Sequence, residues 1–117
     1  MLHHREFQPE PESTAAVRRF VADALIETSR LDDIVLTASE LASNAVRHAQ
    51  TPYTVRLLQD DKRIRLEVSD GSSTVPTLDG LPDSHRGLRI VTAAADEWGV
   101  DVGQDGKTTW TEFNTPG

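Results

Sequence analysis

The stretch "SELASNAVRH", residues 39–48, carries three polar side chains at four-residue steps, Glu40, Asn44 and His48. Small and apolar residues recur around them at helical spacing. Side chains at i, i+4 and i+8 lie almost along one line of a helix, so the stretch predicts an amphipathic helix with a single polar ridge. Such a ridge is either a solvated face or, because carboxylate and amide oxygens suit hydrated magnesium, part of a cation site.

Two further helices are expected around this central one. The central helix begins near Leu31, where acidic residues suit the positive end of the helix dipole, and it ends before Pro52. An amphipathic helix precedes it from Ser13 or Thr14 onward, and a third is predicted over "RGLRIVTAAADEW", residues 86–98. The chain is therefore expected to contain three helices.

A period of two follows the central helix and indicates strands. "YTVRLLQ" (residues 53–59) and "RIRLEVS" (residues 63–69) flank the turn "DDK", and "WGVDVGQDGKTTWTEF" (residues 98–113) closes the chain as a second hairpin. Because the strands come in antiparallel pairs instead of alternating singly with helices, the expected fold class is α+β. We expect a two-layer α/β sandwich with the helices on one face of a mixed, mostly antiparallel sheet.

Composition limits the classes of protein to which the chain can belong. Its 117 residues suit one compact domain, which we place at residues 13–117 after a flexible N-terminal segment, residues 1–12. A formal net charge of −7 argues against a nucleic-acid partner. No apolar run approaches the ~20 residues of a membrane span, and the absence of cysteine is consistent with a reducing compartment. We therefore expect a cytoplasmic protein without a membrane or nucleic-acid partner.

Asp70 follows the second strand with the same parity as the apolar residues Ile64, Leu66 and Val68. Either the strand aims this carboxylate at the buried face, or the strand ends earlier and the side chain caps the turn at Gly71. In the first case the carboxylate is placed to accept a hydrogen bond from the amino group of a ligand.

A long loop separates the first hairpin from the third helix. Gly, Pro, Ser, Thr and Asp dominate from Gly71 to Ser84, a composition that favours neither helix nor strand. Loops of this length are commonly lids or binding loops. Gly87 stands at the expected start of the third helix, where it is either a structural residue or part of an anion site formed by unpaired N–H groups.

Taken together, these features resemble one family. "ELASNAVRHA", the strand ending in Asp-Gly, the loop into "RGLRIV" and the strand "GKTTW" are similar to motifs of the Bergerat-fold ATPases. This is the GHKL superfamily of gyrase-like, chaperone-like and histidine-kinase-like ATP-binding domains. The resemblance extends from about residue 15 to residue 113 and is closest to the stand-alone branch that contains bacterial anti-sigma factor serine kinases.

The resemblance implies roles for the polar ridge of the central helix. Glu40 matches the glutamate that orients or deprotonates the attacking group. Asn44 matches the asparagine that coordinates Mg²⁺, and His48 takes a later position expected near the phosphates of ATP.

The resemblance also implies an adenine end of the site. Asp70, followed by Gly71, matches the aspartate that reads the adenine amino group, usually with a bridging water. Thr108 falls near the threonine of the last family motif, close to the adenine.

The third helix and the loop before it would complete the ATP site. Arg86, Gly87 and Leu88 match the second glycine motif, where main-chain amides at the helix start meet phosphate. The loop from residue 71 to about residue 85 would be the ATP lid.

The resemblance thus implies a magnesium-dependent, ATP-binding protein serine/threonine kinase that binds a sigma factor and phosphorylates an antagonist protein. The family also suggests a homodimer. Ser72 and His85 stand where the family commonly has glycine, and a Cβ there restricts the main chain. An alternative is therefore a catalytically degenerate interaction module with weak or no nucleotide binding. A third reading is ATP hydrolysis without a protein acceptor.

Overall fold

A computed structural model of the chain describes residues 1–73 and 82–115, and only the main chain of residues 82–87. The helices and strands follow in this order: β1 (Leu2–Phe7), α1 (Ser13–Ala24), α2 (Leu31–Asn44), a π-helical turn (Ala45–Ala49), β2 (Tyr53–Gln59), β3 (Arg63–Asp70), α3 (Pro82–Ala94), β4 (Glu97–Gly103) and β5 (Gly106–Asn114).

The strands form a single sheet in the order β1-β2-β3-β5-β4. Each of the four described pairings is antiparallel, which agrees with the mostly antiparallel sheet that was expected. Two of these pairs, β2–β3 and β4–β5, are hairpins. In the other two pairs, β1 runs antiparallel to β2, and β5 runs antiparallel to β3. The predicted α+β fold with two layers is confirmed.

The N-terminal segment differs from the prediction. Leu2–Phe7 is an edge strand paired with β2, from Leu2 opposite Leu58 to Phe7 opposite Tyr53, within the segment of residues 1–12 for which no regular structure was expected. Within β1 only Phe7 is buried, and its ring stacks on Tyr53 with 5.7 Å between centroids. The main-chain ladder therefore stabilises β1 without the alternating apolar pattern that identifies a half-buried strand.

The core lies between one face of the sheet and the helices. On β3 and β5 the side chains alternate, so that Ile64, Leu66, Val68 and Phe113 are buried while their chain neighbours are more exposed. The residues of α2 that complete this core are Ile34, Thr37, Ala38, Leu41 and Ala42. Because α2 also contacts both α1 and α3, it is the central helix of its layer.

The third helix begins and ends earlier than predicted. It covers Pro82–Ala94, whereas the apolar spacing had indicated residues 86–98, and Trp98 belongs to β4. The Nε1–H of Trp98 donates to the hydroxyl of Thr92 at 3.0 Å, which links the strand back to the helix. The loop after β3 lies mostly outside the described residues, so the predicted lid and its bounds stay predictions.

No helix within residues 1–73 and 82–115 is long and apolar enough to cross a membrane.

Candidate functional site

The polar ridge of α2 lies along the flank of the buried helix face. Glu40 and Asn44 are both partly buried, and each step of four residues rotates the side chain by about 40° around the axis. That rotation brings the ridge progressively closer to the buried face, which is centred on Ala38 and Ala45. Glu40 makes no hydrogen bond or ion pair with the described part of the chain.

Asn44 is the most unusual member of the ridge. Its side-chain Oδ1 and Nδ2 are both buried, and neither has a hydrogen-bond partner among the described residues. Buried polar groups in native proteins are nearly always hydrogen-bonded, so a buried amide without a partner requires an explanation. A bound ligand that the amide oxygen can reach is one such explanation, and Mg²⁺ prefers oxygen ligands of this kind.

A π-helical turn follows Asn44 directly. The N–H of Gln50 donates to the carbonyl of Ala45 at 3.1 Å, across five residues, and Gln50 has a positive φ of 57°. His48 lies in this turn and is partly buried. Single π turns within helices are frequent at functional sites, and the apolar spacing of the sequence did not predict this one.

The end of the ridge and Asp70 lie at the same end of the sheet. Thr51 follows the π turn, and its hydroxyl accepts a hydrogen bond from the N–H of Gly71 at 2.8 Å. A Cβ at Gly71 would stand 3.3 Å from the Thr51 side chain, so a larger residue there would crowd this contact. The chain connection and this hydrogen bond therefore bring the segment after the π turn to the end of β3, where Asp70 and Gly71 lie.

Asp70 fulfils both of the roles considered for it. Its side chain is 6% exposed and continues the buried face of β3, as its parity indicated. The same side chain caps the following turn, because its Oδ1 accepts the N–H of Ser72 at 2.9 Å. Its Oδ2 accepts no hydrogen bond from the described residues and is available to a donor on a ligand.

Lys107 is a buried charged residue beside Asp70 that was not predicted from the sequence. It lies opposite Asp70 in the β3–β5 register, its side chain is 8% exposed, and its Nζ is 2.9 Å from Asp70 Oδ1. The sequence does contain an indication that Lys107 points inward, because it has the same parity as Thr109, Thr111 and Phe113 on β5. Lysine is almost never fully buried unless it is paired, which is why parity alone did not indicate this residue.

Thr108 lies on the other face of the sheet. Its hydroxyl shares a hydrogen bond of 2.7 Å with Ser69, whose neighbours in sequence are Val68 and Asp70 on the buried face. Thr109, the next residue along β5, is buried on the side of Asp70. The structure therefore does not bring Thr108 together with the other predicted site residues, because neighbouring residues of a strand point to opposite faces.

The residues predicted for a phosphate site on the third helix lie inside α3. Since the helix begins at Pro82, Gly87 is its sixth residue, and only the first four N–H groups of a helix lack a partner within it. Gly87 is therefore not at the helix start. The Arg86 side chain lies outside the described part, and Leu88 is fully buried in the core.

The described residues contain no group of three or more His, Cys, Asp or Glu side chains that could hold a metal ion. A cation at Asn44 would therefore need further oxygen ligands, such as the phosphates of a nucleotide and water.

The comparisons with known proteins agree with this architecture. Residues 7–113 match the sequence model of the histidine kinase-like ATPase domain. No curated protein sequence is similar enough to count as a match.

Two solved structures have the same fold. The crystal structure of the RsbU and RsbW domains of Rv1364c from Mycobacterium tuberculosis aligns with 99% of this chain and 33% of that chain, with a TM-score of 0.75 and 21% identity. The histidine kinase domain of the blue-light-activated histidine kinase EL346 from Erythrobacter litoralis aligns with 89% and 58% of the two chains, with a TM-score of 0.56 and 18% identity. The chain thus spans less than two thirds of either structure.

Proposed function

Because the chain belongs to the histidine kinase-like ATPase domain family, we propose that it is a magnesium-dependent, ATP-binding regulatory protein of the anti-sigma factor kinase type. The family binds ATP, usually with Mg²⁺. In this proposal the chain binds a sigma factor and phosphorylates a serine on an antagonist protein. The likeness to a structure that contains an RsbW domain supports this choice within the family.

The observation that carries the proposal is the buried amide of Asn44. Both of its polar atoms lack a partner among the described residues, which is expected of a group whose partner is a ligand. The Oδ1 atom fits the oxygen preference of Mg²⁺. Asp70 adds a buried carboxylate with one open oxygen at the end of β3.

The proposed reaction is phosphoryl transfer to a serine hydroxyl. The serine oxygen forms a bond to the γ-phosphorus of ATP, the bond from that phosphorus to the β–γ bridging oxygen breaks, and ADP leaves. Glu40, one helical turn before Asn44, accepts the hydroxyl proton. Bound Mg²⁺ would neutralise charge on the phosphates, while Asn44 holds it and Asp70 orients the adenine.

Isothermal titration with ATP, with and without Mg²⁺, tests the nucleotide site. We expect binding that depends on Mg²⁺ and that falls about tenfold or more in Asn44→Ala, because a metal ligand is lost. Asn114→Ala is the matched control, since Asn114 is the only other asparagine of the chain and is exposed at the end of β5. Equal affinity in wild type and Asn44→Ala would contradict the proposed role of Asn44.

Glu40→Gln tests the chemical step separately from binding. Glutamine keeps the size of the side chain but cannot accept the proton, so ATP should still bind while transfer of the γ-phosphate falls by about 10²–10⁴-fold. Transfer of radiolabelled γ-phosphate to a serine-bearing partner protein, identified by pull-down, provides the measurement. Unchanged transfer in Glu40→Gln would exclude Glu40 as the base.

A second candidate function is an interaction module that holds a protein partner without nucleotide. One observation favours it, namely that Oδ1 of Asp70 already accepts hydrogen bonds from Lys107 and the N–H of Ser72. Absence of binding at millimolar ATP, together with capture of a partner protein, would support this candidate over the kinase.

A further inference from the structure

Asp70 and Lys107 form a buried pair of opposite charge at the end of the sheet. Their side chains are 6% and 8% exposed. Asp70 is the last residue of β3, and Lys107, opposite it, is the first buried residue of β5. Burying two charges is costly, and hydrophobic replacement of such pairs is often neutral or stabilising. Stability alone is therefore a weak reason for this pair.

The pair leaves one donor and one acceptor unused. An ammonium group carries three N–H donors, and Lys107 Nζ donates to Asp70 Oδ1 at 2.9 Å and, at the long distance of 3.5 Å, to the carbonyl of Ser72. The third N–H has no acceptor among the described residues. Oδ1 of Asp70 accepts two hydrogen bonds, one from Lys107 Nζ and one from the N–H of Ser72. Oδ2 of Asp70 accepts none from the described residues.

A donor beside an acceptor matches one edge of adenine. The ring nitrogen N1 is an acceptor, and the 6-amino group next to it is a donor. If the amino group donates to Asp70 Oδ2, the neighbouring N1 is the natural acceptor for the unused N–H of Lys107. A buried charged donor makes a stronger hydrogen bond than a neutral one.

We propose that Lys107 is a base-reading residue of the nucleotide site, donating from its ammonium group to N1 of adenine while Asp70 accepts from the 6-amino group. This inference rests on the proposed function, because it requires that the chain bind ATP. It adds a residue that the sequence had not indicated and makes base recognition depend on a buried ion pair.

The test compares ATP with 1-deaza-ATP, in which a C–H group replaces N1. Titration calorimetry with Mg²⁺ should give about tenfold weaker binding of 1-deaza-ATP to the wild-type protein, because a hydrogen bond to a charged group is lost. In Lys107→Met, which keeps an unbranched side chain of similar length, ATP should bind about tenfold more weakly and the two triphosphates should bind equally. A purely structural Lys107 would weaken both ligands by the same factor and preserve their ratio.

The chain offers a matched control, since its only other lysine is Lys62, exposed in the β2–β3 turn. Lys62→Met should leave both affinities and their ratio unchanged. Equal binding of the two triphosphates to the wild-type protein would overturn the inference without any variant, and so does not depend on whether Lys107→Met folds. In that case the proposed function stands, whereas absence of ATP binding to the wild type would overturn both.

Discussion

Asn44 carries a buried amide whose two polar atoms lack partners among the described residues. Leaving a buried polar group unpaired costs about 1–3 kcal/mol, and an apolar side chain of similar size avoids that cost. Asn44→Leu should therefore raise the free energy of unfolding of the nucleotide-free protein by about 1 kcal/mol. Urea denaturation followed by tryptophan fluorescence measures this change.

Asn114→Leu is the matched control for this prediction. Asn114 is exposed at the end of β5, and substitutions at such surface positions usually change stability by less than about 0.5 kcal/mol. If Asn44→Leu destabilises the nucleotide-free protein, the amide is not a source of instability, and its interpretation as a ligand-binding group is contradicted. If Asn44→Leu raises the free energy of unfolding and abolishes ATP binding, the amide of Asn44 serves ligand binding at the expense of stability.

At the scale of elements, the turn of the β4–β5 hairpin approaches the main chain at the end of β3 closely at one glycine. Gly106 has a φ of 148°, and a Cβ there would stand 2.0 Å from the main-chain oxygen of Asp70. Gly106→Ala should therefore lower the free energy of unfolding by about 1–3 kcal/mol from backbone strain, with a further loss from the clash. Thermal unfolding monitored by circular dichroism provides the measurement.

Gly103→Ala tests whether the effect belongs to that position. Gly103 is at the other end of the same turn, where a Cβ would come no closer than 3.8 Å to another group, the carbonyl of Gly106. We expect a change below about 0.5 kcal/mol. Similar losses in the two variants would mean that the close approach to Asp70 does not control the stability of the hairpin.

Elements whose apolar residues recur locally could be predicted from the sequence. The helix that begins at Leu31 and the hairpin from Tyr53 to Asp70 follow the periods of the helix and the strand, and the structure has both. The strand β1 could not be found in this way, because of its six residues only Phe7 is buried and its pairing partner is about 50 residues away. The π turn depends on a hydrogen bond across five residues, which leaves no such pattern.

The residues of the candidate site could be predicted where the direction of the side chain depends on a single helix or strand. Helical spacing placed Glu40 and Asn44 on one ridge, and the alternation of side chains along β3 predicted that Asp70 points to the buried face. Thr108, which the family resemblance implied, pairs with Ser69 on the other face of the sheet. Lys107, and not Thr108, lies on the side of Asp70, because the start of β5 at Gly106 fixes which residues alternate inward.

At the scale of the whole molecule, Arg30 joins parts of the chain that are far apart in sequence. Its guanidinium donates to Asp33 near the start of α2, to Asp96 before β4, and to the carbonyls of Ala94 and Asn114 at the ends of α3 and β5. The hydrogen bond from Arg30, and then that from the N–H of Asn114, lower the pKa of Asp96 below its usual value. This contact therefore makes folding stability depend on pH.

Asp96→Asn should lower the free energy of unfolding at pH 7, because an amide replaces the paired carboxylate. A carboxyl whose pKa is lowered by folding contributes stability that is complete above its unfolded pKa, about 3.9, and is lost as pH falls through the folded value. The difference in stability between wild type and Asp96→Asn in urea titrations should thus shrink below about pH 4. Asp101→Asn also removes one negative charge, at an exposed position of β4, and controls for the effect of that change on the net charge of −7. A difference that stays constant between pH 7 and about pH 3 would exclude Asp96 as a source of acid sensitivity.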